Sequence, residues 1–415
     1  MSDLGRLRVD GERLAERLVD LARIGDTGDG GAARLALTDE DGMGRDLVVG
    51  WMEDLGLEVS VDRLGNVVGV RPGREPGPPV MTGSHIDTVA SGGRYDGNLG
   101  VLAGLEVLRT LDDASVTTRR PMAVAFFTDE EGSRFPPDML GSLAYVGGIG
   151  LEEALDVADT DGKRVGQELQ RIGYAGVAPV PGPAPHAFVE LHIEQGPVLE
   201  STGVTIGAVT GVQGISWQRV TITGQANHAG TTPMHLRHDA GWAAASVAAR
   251  LREVVAAVGD GQVATVGSLR LDPGLVNVVA RRAELTIDLR NPDEERLQAA
   301  ERHLANLLAS VAGAEGVEVQ SERLARFAPV RFDERVVGLV ERTAAALGIP
   351  VQRMVSGAGH DAQMLARVCP AGMVFVPSQA GISHNPAEHT DPEDLVAGAD
   401  VLLQTLLTLA TEDVV

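Results

Sequence analysis

The feature of this sequence that most constrains its fold is a change of rhythm after about residue 211. Before that point, and again after about residue 328, helical patterns alternate with short apolar strands. Residues 212–327 instead show the order strand, helix, strand, strand, helix, strand. Alternation predicts an α/β sheet covered by helices, whereas βαββαβ is typical of a ferredoxin-like domain. The sequence therefore predicts a discontinuous α/β catalytic domain, 1–211 and 328–415, interrupted by an α+β insert, 212–327.

The charge of the chain narrows its possible partners. Its 415 residues include 58 acidic and 35 basic ones, for a formal net charge of −23, and no run of Lys or Arg is longer than a pair. Such a chain repels phosphate backbones and anionic lipids. We therefore expect neither nucleic acid nor a membrane as a partner, and a small molecule as the ligand.

The N-terminus and the single cysteine bear on localisation. The first 25 residues alternate charges with Leu and Val and lack the apolar core of a signal peptide. No stretch is expected to be apolar for long enough to span a bilayer. Cys369, in an apolar setting, can form neither an intramolecular disulfide nor a thiolate zinc site, and we interpret it as a buried, inert thiol. A cytoplasmic protein is expected.

Five short segments place His or carboxylate side chains just after apolar runs. They are GSHIDTV (His85, Asp87), RYDGNLG (Asp96), FFTDEEGSRF (Asp129, Glu130, Glu131), ELHIEQGP (His192, Glu194) and GISHNPAEHT (His384, Glu388, His389). Any one of them alone is more often a satisfied polar group or a helix cap. As a set they follow strands of one α/β domain, whose strand ends converge on one crevice. The set therefore predicts one functional site.

The residue types in these segments indicate a metal centre. Imidazole nitrogens with carboxylate oxygens and no thiolates suit Zn²⁺, Mn²⁺, Co²⁺ or Ni²⁺ rather than Ca²⁺. Two ions about 3.5–4 Å apart can share a carboxylate and hold a water whose pKa falls toward neutrality. Of the adjacent Glu130 and Glu131, one can then bind metal while the other moves protons. The alternative, a solvated acidic turn, fits poorly after the apolar strand AVAFF.

Seven motifs together resemble a known family. GSHIDTV, DGNLGVLAG, FTDEEGSRF, ELHIEQGPVLE, NHAGTTPM, SGAGHDAQ and GISHNPAEHT are similar to the amidase/carbamoylase branch of the zinc-peptidase-like M20 metallohydrolases. That branch includes N-carbamoyl-L-amino-acid hydrolases, allantoate amidohydrolases and β-ureidopropionases. The resemblance runs from about residue 10 to residue 410, and it implies a zinc-peptidase-like fold for the discontinuous domain.

The resemblance implies a role for each metal-site residue. Two divalent ions per subunit, with Zn²⁺ preferred, would be held by two sets that share Asp96: His85, Asp96 and His192, and Asp96, Glu131 and His384. Glu130 matches the general base. Asp87 matches the outer carboxylate of the HxD motif, with an ordinary Asx turn as its alternative. Peptidases of this clan generally place an acidic ligand where His192 stands, so HIEQG favours ureido or amide substrates.

The resemblance also implies substrate-binding residues. They are Gln195, Gln218, His228, Asn277, Arg290, Gly359 and His360. Arg290 would bind a substrate carboxylate bidentately, although a strand Arg paired with Asp288 or Glu284 is the alternative. His228 would stabilise an oxyanion as a catalytic group, or simply stabilise its turn. The histidines outside the seven motifs, His186, His235, His238 and His303, are interpreted as structural or solvated.

The function expected from these features is hydrolysis of a linear ureido or amide C–N bond. An N-carbamoyl-L-amino acid is the first expected substrate, allantoate or N-carbamoyl-β-alanine the alternative, and a peptide a third possibility. A non-catalytic, metal-stabilised small-molecule binding protein is the alternative from another class. The resemblance and an exposed sheet edge in the insert predict a homodimer, with the insert as a lid and dimerisation domain.

Overall fold

The computed structural model describes residues 3–415, and the chain folds as two compact units. One unit comprises the chain up to Gly211 together with Arg331–Val415, and the other is Val212–Val330. The second boundary therefore falls three residues after the one expected from the sequence, 327/328.

The described residues form thirteen strands, twelve α-helices and three short 3₁₀ helices. The strands are β1 Glu58–Val61, β2 Val67–Arg71, β3 Val80–His85, β4 Met122–Phe127, β5 Ala187–Ile193, β6 Ile206–Val212, β7 Gly214–Thr223, β8 Val263–Asp272, β9 Arg282–Asn291, β10 Glu318–Phe327, β11 Val330–Arg331, β12 Val351–Ser356 and β13 Ala371–Val376. The α-helices are α1 Gly11–Ala22, α2 Asp39–Asp54, α3 Asn98–Asp113, α4 Leu140–Tyr145, α5 Leu151–Asp156, α6 Val165–Ile172, α7 Val198–Thr202, α8 Ala240–Val258, α9 Glu294–Glu315, α10 Glu334–Ala346, α11 Asp361–Leu365 and α12 Pro392–Thr411. The 3₁₀ helices are Asp3–Arg6, Met234–Leu236 and Gln379–Gly381.

The first unit is an α/β fold built on a mixed sheet of nine strands. The strands run in the order β1-β2-β4-β3-β5-β13-β6-β11, with β12 beside β6. The central four, β4, β3, β5 and β13, are mutually parallel. Every residue of these four strands is buried, as expected for parallel strands covered on both faces. Their carboxyl ends therefore lie along one edge of the sheet.

Helix α12 corrects one expectation from the sequence. It is 20 residues long and apolar enough, by length and composition, to cross a membrane, with a mean hydropathy of 1.3 in its best window. Two-thirds of that window is buried within the protein, and Leu402, Leu403 and Leu406 are fully buried. The helix packs on α3, α10 and β13, so its apolar composition serves the core of the first unit.

The second unit has the ferredoxin-like order β7-α8-β8-β9-α9-β10. Its four strands pair in the order β10-β7-β9-β8, and each pair is antiparallel. Helices α8 and α9 cover one face, where Val220, Val247, Ile287 and Leu304 form part of the core. The run VNVV that begins at Val276 is typical of a strand in sequence, but residues 275–281 form an irregular segment and β9 begins at Arg282.

Candidate metal centre

The predicted metal ligands come together at the carboxyl ends of the parallel strands. His85 ends β3, Glu131 follows β4, His192 lies near the end of β5 and His384 lies in the loop after β13. Asp96 lies in the loop before α3, the helix that packs on β3. The gathering follows from the topology, because neighbouring parallel strands present their ends at one edge.

Three of these side chains form one compact group. His85 Nε2 lies 3.6 Å from Asp96 Oδ1, and His192 Nε2 lies 3.1 Å from the same oxygen. The three residues are buried, and their candidate ligand atoms lie within 4.8 Å of one another. This separation suits a single cation between two imidazoles and a carboxylate.

A second group shares the same aspartate. His384 Nε2 lies 3.3 Å from Asp96 Oδ2 and 3.3 Å from Glu131 Oε2. Asp96 thus directs one carboxylate oxygen to each group, the arrangement expected of a carboxylate that bridges two cations. Unlike the first group, this one is open on one side, because half of the His384 side chain is exposed.

The two buried imidazoles are oriented as metal ligands. The Nδ1 atom of His85 lies 2.9 Å from the backbone oxygen of Asp87, and that of His192 lies 2.8 Å from the oxygen of Ile193. When each Nδ1–H donates to its carbonyl, the Nε2 lone pair of each neutral ring is left on the side of Asp96. In His192 the Nε2 atom also accepts a hydrogen bond from the Gly97 N–H at 3.1 Å. A second hydrogen bond of this kind commonly fixes the ring of a metal-bound histidine.

The charges of the cluster favour a cation. Burial raises the pKa of Glu131 to about 8, with Asp96 adding to the effect. A hydrogen bond to Asp96 raises the pKa of His384 to about 9. Burial alone would lower the pKa of His85, but Glu130 and Asp96 raise it well above its usual value. The crowded carboxylates thus favour the protonated forms of their neighbours. Divalent cations would neutralise the negative charge of the carboxylates in place of those protons. The donor set therefore fits divalent ions.

Glu130 lies beside the first group without belonging to either. Its Oε2 is 3.4 Å from His85 Nε2, and the side chain is 10% exposed. Burial raises the pKa of the carboxyl well above its usual value, and the negative Asp361 and Glu131 add to the shift. A carboxyl placed beside the predicted metal ligands without belonging to them can accept and donate protons.

Asp87 holds the loop after β4 with its side chain and His85 with its backbone. Its Oδ1 accepts a hydrogen bond from the Glu130 N–H at 3.3 Å, and its Oδ2 accepts one from the Glu131 N–H at 3.4 Å. Its Oδ1 lies 3.8 Å from the His85 ring nitrogen, farther than the backbone oxygen. The carboxylate therefore orients the two glutamates, a contact that the HxD motif alone does not predict.

Gln195 contacts the shared aspartate directly. Its Nε2 donates to Asp96 Oδ2 at 2.7 Å and lies 3.3 Å from Ser383 Oγ. Its backbone N–H donates to Ser378 Oγ at 3.0 Å. The structure thus places this predicted substrate residue within the metal cluster.

The backbone is strained where the site is built. Asp129, Gln195 and His384 adopt positive φ angles of 56°, 58° and 53°, which cost non-glycine residues about 1–3 kcal/mol each. Gly97 has φ of 66°, and a Cβ there would overlap the His85 ring. The turn before α3 therefore requires glycine for both conformation and space.

His360 lies behind the cluster. Its side chain is fully buried, its Nε2 lies 2.9 Å from Ser356 Oγ, and its ring meets the His192 ring edge-on at 4.5 Å. His192, His360 and Glu190 form a third ligand-like group, but both nitrogens of His192 already have partners. His360 therefore packs directly behind the predicted ligand His192. Gly359 is half-buried, and a Cβ there would lie 2.9 Å from Met139.

In the second unit, His228 and Asn277 lie on two loops that pair with each other. The Ala229 N–H donates to the backbone oxygen of Asn277 at 3.0 Å. The Nδ1 atom of His228 accepts hydrogen bonds from the N–H groups of Gly230 and Thr231 at 3.1 and 3.2 Å. The neutral ring therefore carries its proton on Nε2, which makes His228 a hydrogen-bond donor as well as a turn-stabilising residue.

Arg290 forms the strand pair that the sequence left as an alternative. It adjoins the buried Leu289 on β9 and so faces away from α8 and α9. Its guanidinium binds Asp288, with Nη2 2.9 Å from Oδ2, and both side chains are about one-quarter exposed. A substrate carboxylate at Arg290 would therefore share the guanidinium with Asp288.

Gln218 does not lie with Arg290. It pairs across the sheet with the core residue Ile287, and its Oε1 accepts a hydrogen bond from Ser321 Oγ at 2.8 Å. Its side chain therefore lies on the helix-covered face, opposite Arg290. The structure does not bring these two predicted substrate residues together.

Glu388 lies in the segment GISHNPAEHT, and the sequence motifs predict no role for it. The carboxylate is buried and accepts hydrogen bonds from the N–H groups of Tyr95 and Asp96 at 2.9 and 3.2 Å. Ser383, also unassigned, lies 3.1 Å from Asp96 Oδ2. The only available signal was their proximity to His384 in the sequence.

Comparisons with known proteins agree with this geometry. Residues 81–408 match peptidase family M20/M25/M40. The chain is 42% identical over 408 residues to the N-carbamoyl-L-amino acid amidohydrolase of Geobacillus stearothermophilus, covering 97% of this chain and 99% of that one. It is 36% identical over 393 residues to the allantoate amidohydrolase of Bacillus subtilis, covering 94% and 95%. An amidase of the hydantoinase/carbamoylase family from Burkholderia multivorans matches at a TM-score of 0.96 and 46% identity, covering 99% and 100%. The chain belongs to the M20/M25/M40 peptidase family.

Proposed function

We propose that this protein is a binuclear metal-dependent amidohydrolase that converts N-carbamoyl-L-amino acids to L-amino acids, CO2 and NH3. The observation that carries the proposal is the position of Asp96, with one oxygen toward His85 and His192 and the other toward His384. Amidohydrolases among the relatives, matched over nearly their full length, support it.

Two divalent ions per subunit are part of the proposal, with Zn²⁺ preferred and Mn²⁺, Co²⁺ or Ni²⁺ as alternatives. The residues that would hold them are His85, Asp96 and His192 for one ion, and Asp96, Glu131 and His384 for the other. When bound, such ions supply a water that is acidic enough to be a nucleophile at neutral pH. Nitrogen and oxygen donors without thiolates support this choice of metals.

Glu130 is the proposed general base and acid. Its carboxylate takes a proton from the water that attacks the carbamoyl carbon, and it returns the proton to the amino-acid nitrogen as the C–N bond breaks. The carbamate released gives CO2 and NH3. Asp87 keeps Glu130 in place by accepting the hydrogen bond from its backbone N–H.

We assign the substrate contacts as follows. The Nε2–H group of His228 donates a hydrogen bond to the oxygen that becomes negative in the tetrahedral intermediate. Arg290 binds the substrate carboxylate, and Asn277 and Gln195 bind its polar groups. Gln218 receives no role here, because its side chain lies on the opposite sheet face from Arg290.

Allantoate is the second candidate substrate. It too carries a ureido group and a carboxylate, so the same residues would serve it, and the relative from Bacillus subtilis favours it. N-carbamoyl-β-alanine and peptides are the further alternatives from the sequence motifs. A non-catalytic metal-stabilised binding protein is the alternative from another class.

We also propose that the protein is a cytoplasmic homodimer. The second unit supports self-association because Trp217, Trp242, Leu271 and Val276 are exposed on it, and β8 and β10 form the two edges of its sheet. Cys369 is half-buried rather than buried as expected, and burial raises the pKa of its thiol to about 12, so little reactive thiolate forms near neutral pH.

An ammonia-release assay tests the proposal. The metal-reconstituted protein would be given N-carbamoyl-L-amino acids, N-carbamoyl-β-alanine and allantoate with ammonia as the readout, and dipeptides in parallel with free amino acids as the readout, because peptide hydrolysis releases no ammonia. We expect the highest kcat/KM for an N-carbamoyl-L-amino acid. A higher value for allantoate would select the second candidate. Metal-loaded protein that hydrolyses none of these substrates would contradict the proposed enzyme class.

A further inference from the structure

Glu388 occupies a position that the proposed reaction does not use. It lies in the loop after β13, four residues beyond His384, and is 4% exposed. Its Oε1 accepts hydrogen bonds from the Tyr95 and Asp96 N–H groups at 2.9 and 3.2 Å, and its Oε2 lies 3.0 Å from Ser383 Oγ. One carboxylate thus joins the loop that carries the shared aspartate to the loop that carries His384.

Glu388 is not itself placed as a metal ligand. One oxygen accepts two backbone N–H groups, and the other faces a hydroxyl. It also belongs to none of the ligand-like groups among the described residues. Its effect on a metal must therefore pass through its neighbours.

The Ser383 hydroxyl shows what that effect would be. The hydroxyl has one proton and two possible acceptors, Asp96 Oδ2 at 3.1 Å and Glu388 Oε2 at 3.0 Å. A cation bound at Asp96 Oδ2 competes for that oxygen, and the Ser383 proton then goes to Glu388. The Ser383 oxygen meanwhile accepts from Gln195 Nε2, which lies 3.3 Å away. Glu388 would thereby relieve Asp96 Oδ2 of the Ser383 hydrogen bond, while Gln195 Nε2 stays 2.7 Å from that oxygen.

The backbone around Glu388 is shaped to admit the carboxylate. A Cβ at Gly93 would overlap Glu388 Oε1 and Cδ. The Asp96 loop therefore passes too close to the carboxylate for any residue larger than glycine. A close approach of this kind fixes the distance between the two loops.

We propose that Glu388 is a positioning residue for the metal centre, which sets Asp96 and His384 at the separation that the second cation requires. The proposal rests on the metal centre proposed above, though not on the identity of the substrate. Outer hydrogen-bond partners of metal ligands commonly contribute about 10–100-fold to metal affinity, and Glu388 serves two ligand-bearing loops at once.

The test uses Co²⁺ alone as a probe. Wild type, Glu388→Gln, Ser383→Ala and Glu106→Gln would each be stripped of metal and titrated with Co²⁺ against a competing chelator, with visible spectra recorded. Glu106 is the matched control, because it is a fully buried carboxylate of the same unit that accepts the Asp10 N–H at 3.0 Å. Thermal unfolding would confirm that each variant is folded.

We expect Glu388→Gln to bind the weaker of its two Co²⁺ ions about 10–100-fold less tightly than wild type does, with an altered cobalt spectrum. Ser383→Ala should show a smaller loss in the same direction, and Glu106→Gln should keep wild-type affinity despite lower stability. A folded Glu388→Gln with wild-type affinity and spectrum overturns the proposal. If Glu388→Gln fails to fold, wild-type binding by Ser383→Ala overturns it.

These outcomes are distinct from failure of the proposed function. A wild type that binds two Co²⁺ ions but releases no ammonia overturns the proposed reaction, whereas the Glu388 comparison is decided by affinity and spectra alone.

Discussion

The metal cluster of the first unit and the substrate residues of the second unit differ in how they are held. His85, Asp96 and His192 are buried and share hydrogen bonds and close contacts. His228 and Asn277 are exposed and are joined only through the backbone of their two loops. The first set is thus organised before any ligand arrives, which is how enzymes build the part that carries out chemistry. The second set leaves its side chains available for a substrate.

The largest effect should come from Asp96→Asn, which breaks the preorganised side of this comparison. Asp96 serves both ligand groups, and an amide cannot supply two anionic oxygens. We expect metal content to fall and ammonia release to drop to background, measured by metal analysis and assay of the same sample. Asp400→Asn is the control, because Asp400 is also buried and accepts a backbone N–H from Val9. Full activity in Asp96→Asn would contradict the shared-ligand role.

Glu130→Gln separates metal binding from proton transfer within the first unit. The amide keeps the size of the side chain but cannot accept the water's proton, so kcat should fall by about 10²–10⁴-fold. Both metals should remain, because Glu130 belongs to neither ligand group. The measurement is kcat alongside metal content. Near-normal turnover would remove Glu130 as the base.

His228→Ala tests the exposed substrate residues of the second unit. Loss of the Nε2 donor should lower kcat by about 10²–10³-fold and leave metal content unchanged. His235→Ala, an exposed histidine in the neighbouring 3₁₀ helix Met234–Leu236, should retain wild-type kcat. Equal kcat values in the two variants would mean that His228 only stabilises its turn.

Arg290→Ala should give the smallest effect, on KM rather than kcat. A hydrogen bond to a charged group contributes about 1.5–3 kcal/mol, so KM should rise by about 10–100-fold for substrates with a free α-carboxylate. The matched control is Arg282→Ala, which removes a guanidinium from the same face of β9, paired there with Glu284. An unchanged KM in Arg290→Ala would remove it from the substrate site.

The contrast between the buried metal cluster and the exposed substrate residues also explains which parts of the site the sequence predicts. Parallel strand ends meet by topology, so His or carboxylate residues after apolar runs were enough to predict the gathering of His85, His192 and Glu131. The order of elements in the insert followed from hydrophobic period alone. In both cases the spacing of apolar residues predicts the strands and helices, and the arrangement of these elements determines which residues meet.

Contacts between loops obey no such rule. Alternation along β7 places Gln218 on the same face as the core residue Val220, since residues two apart share a face, whereas the family resemblance carries no information on sheet faces. The Glu388 hydrogen bonds join residues almost 300 positions apart. The carboxylate of Asp87 turns to two backbone N–H groups rather than to His85. Hydrogen-bond partners of this kind can be identified only from the folded conformation of the loops.

The most direct test of the binuclear hydrolase is metal titration of stripped protein, with ammonia release from an N-carbamoyl-L-amino acid as the readout. We predict no ammonia without metal and a rise that levels off at two equivalents of Zn²⁺, Mn²⁺ or Co²⁺ per subunit. Undiminished ammonia release by the stripped protein, or full activity at one equivalent, would contradict a two-metal site built on Asp96.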